Sequence, residues 1–184
     1  FIEKMVAKYP KLLATLPSKE SGVRYRLEGY LFPATYGYGK DSKMEDLVDQ
    51  MLAAMDQNLS AYYDTMEAKN IDVNEALTLA SLIEKEGATD KDRKDIASVF
   101  YNRLNQDMPL QSNIAILYAQ GQLGKKTTLK EDATIDTNID SPYNIYKNTG
   151  LMPGPVDSPS LSAIEAAVNP SKTDYLYFVA NVET

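Results

Sequence analysis

The sequence predicts an α+β domain, mostly helical, with one small β element. Three observations predict it. Apolar residues recur at helical spacing over residues 42–66, 72–87, 89–104 and 160–168, and several of these runs open on a capping signal. One late run, Tyr-Leu-Tyr-Phe-Val at 175–179, is rich in β-formers. The 184 residues, 43% of them hydrophobic, suit a single domain with a real core.

In chain order, residues 1–20 show helical spacing in Ile2, Val6, Leu12, Leu13 and Leu16, broken at Pro10 and Pro17. They are expected to be the remnant of an upstream element, with residues 21–184 forming the domain proper. Residues 24–38 carry β-formers around Gly29 and Pro33 and are expected to be extended chain and turns. Ser42 and Glu45 read as a capping box opening one long helix. Its face would carry Met44, Leu47, Val48, Met51, Leu52, Met55, Leu59, Tyr62 and Met66, a methionine stripe expected in the core. Asp72 and Glu75 read as a second capping box, starting a helix that ends at Gly87. Thr89 or Asp90 would cap the next, with Ile96, Ala97, Val99, Phe100 and Leu104 inward, a solvated charge run over 91–95, and Asn102 and Arg103 toward a cleft. A short helix follows over 114–120. Residues 131–155, rich in Asp, Asn, Thr, Pro and Gly, read as a long loop ordered by Tyr143, Ile145, Tyr146, Leu151 and Met152. Leu161, Ile164 and Ala167 mark a last short helix. Residues 174–182 would be a strand, paired with 24–38 or with chain beyond Thr184.

Composition removes whole classes of chemistry. The chain has no cysteine and no histidine, so thiol nucleophiles, Ser-His-Asp triads, the usual zinc sites and imidazole acids are excluded. Carboxylates, tyrosines and lysines remain for proton transfer, and neither metal nor cofactor is expected. A net charge of −7 argues against a nucleic-acid partner. Thirteen tyrosines against four phenylalanines and no tryptophan suit a polar ligand with apolar faces, such as a sugar. No run is long enough to span a bilayer and no signal peptide is present; the abrupt start at Phe1 suggests an excised domain.

One residue stands out on the helix ending at Gly87. At 100° per residue Leu79, Leu82, Ile83 and Glu86 share a side, so a carboxyl continues an apolar stripe. Desolvation there raises a carboxyl pKa, as does the carbonyl end of the helix dipole, and a carboxyl that holds its proton near neutrality can act as a general acid. Glu84 lies at the stripe's edge, Lys85 points to the polar side, and Gly87 would permit a left-handed C-cap. The alternative is an amphipathic helix whose last turn is wet.

With these segments in view, the chain resembles the MltG or YceG-like family of endolytic murein transglycosylases. The matching pieces, in the family's order, are Glu-Gly-Tyr-Leu-Phe-Pro-Ala-Thr-Tyr (28–36), Leu-Ala-Ser-Leu-Ile-Glu-Lys-Glu (79–86), Ala-Ser-Val-Phe-Tyr-Asn-Arg-Leu (97–104), Leu-Gln-Ser (110–112), Ser-Pro-Tyr-Asn-Ile-Tyr (141–146), Gly-Leu-Met-Pro-Gly-Pro (150–155) and Tyr-Leu-Tyr-Phe-Val-Ala (175–180). The resemblance implies a lysozyme-like catalytic domain that cleaves the MurNAc-β-1,4-GlcNAc bond inside peptidoglycan strands and leaves 1,6-anhydroMurNAc ends. It implies Glu86 as the catalytic carboxyl, anchoring on the outer membrane face through an N-terminal segment, often a LysM-like domain, and partners among penicillin-binding and other elongation and division proteins. The chain departs from the pattern at Asn113 and Ile114, where the family has Asp-Pro, and lacks the family's histidine-containing C-terminal stretch.

Substrate contacts are expected from Glu28, Tyr36, Gln111, Ser112, Asn113, Tyr143 and Asn144, each with a structural alternative: a salt bridge to Arg24 or Arg26 for Glu28, turn capping for Asn144 and Ser141, loop backbone for Gln111, a core anchor for Tyr143. Tyr30 is a further ring able to stack or pack. A hydrolase would need a second carboxylate, for which Glu28, Asp136 and Asp140 are candidates. A non-catalytic glycan-binding scaffold has no need of a carboxyl on an apolar stripe.

Overall fold

The computed structural model describes residues 1–123 and 134–179. Among them are seven α-helices and no strand. Helix α1 (Ile2–Lys8) stops before Pro10, which cannot continue it. Met5, Tyr9, Leu12 and Leu13 are buried in the same apolar core as the later helices, and Asp49 takes both the Lys8 ammonium (2.5 Å) and the Tyr9 hydroxyl (2.6 Å). Residues 5–13 therefore contribute side chains to that core.

Helix α2 (Met44–Leu59) starts without the expected capping box. Ser42 spends its hydroxyl on the backbone N–H of Gly39, closing the preceding turn, so Lys43 becomes the N-cap. The long helix also divides: after Leu59 the Ser60 hydroxyl bonds the Gln57 carbonyl at 2.6 Å, and the chain restarts as α3 (Tyr63–Ala68). The methionine stripe divides with it. Met55 and Met66 are buried, whereas Met44, on the uncapped first turn, is 64% exposed.

Helix α4 (Val73–Glu86) carries the predicted capping box, Asp72 accepting from the Glu75 N–H and Glu75 from the Asp72 N–H. Ala76 to Ile83 are all buried, so its apolar stripe has become a nearly complete wrap. The wrap comes from helix α5 (Asp90–Asn105), helix α6 (Asn113–Ala119) and helix α7 (Leu161–Val168), all packed on α4. Thr89 caps α5 and Ser160 caps α7 through their hydroxyls.

The expected strand has no strand partner over 174–179 among the described residues, and residues 180–182 lie outside them. Its backbone is bonded to α5 side chains instead. Asn102 Nδ2 donates to the carbonyls of Thr173 and Tyr175 (both 2.9 Å), and Arg103 Nε to that of Leu176 (2.7 Å). Phe178 meets Phe100 edge-on, with centroids 5.8 Å apart. Residues 24–38 fold as turns, with no ladder to this segment. Of the loop expected over 131–155, residues 131–133 lie outside the described part; the rest is irregular chain anchored by buried Tyr143, Ile145 and Met152.

Candidate active site

Three consecutive side chains at the end of α4 reach three different parts of the molecule. Glu84 Oε2 accepts from the backbone N–H (3.0 Å) and the hydroxyl (2.5 Å) of Ser160, while its Oε1 faces the Arg93 guanidinium at 3.4 Å. Lys85 pairs with Asp157 at 2.5 Å. Glu86, half-buried, accepts a 2.7 Å hydrogen bond at Oε1 from the Ser112 hydroxyl. Glu84 thus ties α4 to α5 and α7, whereas Glu86 lines a groove of about 330 Å³ between α5 and residues 175–179.

Gly87 does not adopt the expected left-handed cap: its φ of −107° and ψ of 130° are extended. Close approach explains the glycine. A Cβ there would lie 2.7 Å from Arg93 Cγ and 3.1 Å from Arg93 Cα, while Arg93 Nε donates to the Gly87 carbonyl at 3.1 Å. The first turn of α5 packs directly on the chain leaving Glu86.

Ser112 is buried and is the N-cap of α6. Its oxygen accepts the Ile114 N–H (3.3 Å) while its proton goes to Glu86, so a backbone amide polarises the hydroxyl that holds the carboxyl. Asn113 Oδ1 accepts the Tyr146 hydroxyl at 2.6 Å. Burial raises the pKa of that hydroxyl, with the Glu86 charge adding to the rise and the Arg103 charge opposing it. Gln111, exposed and at φ 58°, donates its N–H to the Ile145 carbonyl; its Oε1 lies 3.4 Å from Arg103.

Glu28 accepts a short hydrogen bond from the Tyr118 hydroxyl in the last turn of α6. Burial raises its carboxyl above the ordinary range; the Tyr118 bond and the Arg24 charge oppose the rise and Asp157 adds to it. Arg24 stacks over the Tyr118 ring, 4.8 Å from its centroid, and the Tyr143 ring packs against that same Tyr118 ring at 4.8 Å. Helix α6 therefore holds Glu86 through Ser112 at one end and Glu28 through Tyr118 at the other, the two holding residues lying about 9 Å apart along its axis at 1.5 Å per residue.

The remaining candidates build loops. Asn144 is fully buried; its amide donates to the Thr137 and Ile139 carbonyls and its Oδ1 accepts from the Tyr146 N–H, so its polar atoms are turned inward. Tyr143 is a buried anchor. Tyr36 bonds the Phe32 carbonyl within its own loop, and Tyr30, also buried, bonds Asn74. Asp136 accepts from the Asn138 N–H and Asp140 is exposed. Residues that sequence reasoning did not place in the site are Tyr146, Tyr175 and Tyr177. The tyrosine excess was their signal, without positions attached.

The sequence matches the YceG-like family over residues 2–184. The chain belongs to that family. It is 69% identical over 182 residues to a curated Streptococcus pneumoniae protein named endolytic murein transglycosylase, covering 99% of this chain and 33% of that protein. A Bacillus subtilis protein of the same name is 43% identical over 181 residues, covering 98% of this chain and 49% of that one. The crystal structure of a putative YceG-like protein from Listeria monocytogenes superposes with a TM-score of 0.85 at 44% identity, covering all of this chain and 58% of that one. The chain thus spans between a third and a half of the length of these curated relatives.

Proposed function

We propose that this chain carries the catalytic centre of an endolytic murein transglycosylase, with Glu86 as its acid and base. The observation that carries the reading is a half-buried carboxyl at a helix end, gripped by a buried hydroxyl and opening on a groove with aromatic lining. The names of its close relatives support the substrate class.

In this reading the protonated Glu86 gives its proton to the glycosidic oxygen between MurNAc and GlcNAc. The C1–O bond breaks and GlcNAc leaves with a free 4-hydroxyl. Positive charge develops on C1 of MurNAc, stabilised by the carboxylate that remains. That carboxylate takes the proton of the C6 hydroxyl as O6 closes on C1. Glu86 ends protonated, no water is consumed, and the product carries a 1,6-anhydro ring. Ser112 is a positioning residue here, holding the Glu86 carboxyl in its orientation. The helical arrangement around Glu86 is lysozyme-like in this reading. The domain works on the extracytoplasmic face, tethered through other parts of a longer protein and acting beside penicillin-binding and other wall-synthesis proteins.

Mass spectrometry of uncross-linked glycan strands after incubation with the protein tests this directly. Anhydro-ended internal fragments are expected; reducing ends would mean hydrolysis, and intact strands would overturn the catalytic reading. Ser112→Ala is expected to lower kcat about ten- to a hundredfold, as loss of a hydrogen bond to a charged group does, with KM nearly unchanged. Ser112→Thr, which keeps the hydroxyl, should recover most of the loss. A rise in KM with kcat unchanged would instead make Ser112 a substrate contact.

A further inference from the structure

The groove that Glu86 opens on has a wall the mechanism does not use. Tyr175 and Tyr177 are 59% and 71% exposed, yet the backbone under them is held at successive points. Asn102 grips the Thr173 and Tyr175 carbonyls, Arg103 grips that of Leu176, and the Ser98 hydroxyl bonds Thr173. The Arg103 guanidinium sits 4.8 Å from the Tyr177 ring centroid, and Phe178 is wedged against buried Phe100. These rings are exposed but fixed, which is how a binding surface lowers the ordering cost of its ligand.

Arg103 also connects this wall to the reacting carboxyl. Only 6% exposed, it donates through Nη1 to the carbonyls of Pro109 (3.0 Å) and Leu110 (3.3 Å), the residues leading into Ser112. One buried guanidinium thereby sets both the ring platform and the hydroxyl that grips Glu86. The opposite lining pairs apolar Ile96 and Val99 with the carboxylates of Asp92 and Asp95. Hydrogen bonds from Lys91 and Ser171 hold the Asp95 carboxyl below its ordinary pKa, so it stays an acceptor. A ligand with flat C–H faces and a rim of hydroxyl donors matches both walls, and a net charge of −7 disfavours an anionic one.

We infer that Tyr175 and Tyr177 form the stacking floor of a sugar subsite, which binds a pyranose ring of the glycan strand immediately beside the bond that Glu86 cleaves. This inference rests on the catalytic reading above. Its volume, about 330 Å³, lies at the lower end of small-ligand pockets, enough for a short piece of strand rather than a long one.

Calorimetric titration with purified, uncross-linked glycan strands tests it, using Glu86→Gln as a non-cleaving parent. Adding Tyr175→Ala and Tyr177→Ala is expected to weaken binding about tenfold, the equivalent of two aromatic contacts of ordinary strength. The unfolding temperature should hold, since both rings are mostly exposed, and Tyr175→Phe with Tyr177→Phe should restore binding because the ring face remains. In the protein with Glu86 intact, the alanine pair should lower kcat/KM through KM. Affinity within twofold of the parent, alongside cleavage by the native protein, overturns the subsite alone. If the native protein neither binds nor cleaves the strands, the catalytic reading falls and the subsite with it.

Discussion

Exchange of Glu86 for glutamine is expected to lower glycan cleavage at least about a thousandfold, while thermal unfolding and affinity for uncleaved strands stay close to wild type. A positioned general acid contributes about 10²–10⁴-fold, and the upper part of that range applies because one group serves both proton transfers. Glutamine keeps the volume and an oxygen for the Ser112 hydroxyl but has no proton to give to the glycosidic oxygen and no basicity to recover one. The exchange removes no volume and leaves the Ser112 hydroxyl an acceptor, which is why the fold is expected to hold. Fragment release followed by chromatography, beside a melting curve, separates chemistry from folding. Activity within tenfold of wild type would remove Glu86 from the mechanism. The neighbouring carboxyl of the motif marks the contrast. Glu84 is spent on the two Ser160 donors and on Arg93, so its loss acts through the seating of α7 and α5 rather than on the proton.

The site was legible where the determinants are local, and less so where they come from distant chain. Asp72 and Glu75 need only each other to cap α4, and the pair holds; Ser42 and Glu45 offer the same pattern, but Gly39 lies within reach of Ser42 and takes its hydroxyl. The placement of Glu86 at the end of an apolar face followed from helical geometry alone. Its partner did not, because Ser112 is 26 residues away and reaches Glu86 only when α6 packs on α4. The same distance effect governs the expected strand. The carbonyls a neighbouring strand would have used are taken by Asn102 and Arg103 of α5. Amide side chains were the least legible. Asn144 carries the same donors and acceptors whether it faces a sugar or its own loop, and only its burial among the Thr137 and Ile139 carbonyls shows the latter. The glycine after Glu86 serves as a spacing device rather than a left-handed cap, because helix approach leaves no trace in a single residue's propensities.

Spacing and conformation coincide at Gly29, and Gly29→Ala is expected to cost about 2–5 kcal/mol of stability. Two terms add. The residue sits at φ 85°, where a side chain costs about 1–2 kcal/mol, and the added methyl would fall inside contact distance of Pro155 Cβ and Cγ, an overpacking of about 1–3 kcal/mol. Neither side can retreat cheaply. On one side Tyr30 is fully buried and bonds Asn74, which in turn donates to the Pro153 carbonyl at 3.1 Å. On the other, Val156 donates its N–H at 3.1 Å to Ser81, itself buried in the middle of α4. At about 2–4 °C per kcal/mol for a chain of this length, the melting temperature should fall by about 4–20 °C, measurable by calorimetry and by the denaturant midpoint. A change within about 0.5 kcal/mol would show that the 25–30 turn can slide away from the 153–156 loop. Because the adjacent Glu28 is carried on the same turn and holds Tyr118 at the far end of α6, such sliding would also loosen the helix that presents Ser112. Retained stability with retained cleavage would therefore mean that α6 is seated by its packing on α4 alone. Loss of both would place the 28–30 turn among the supports of Glu86.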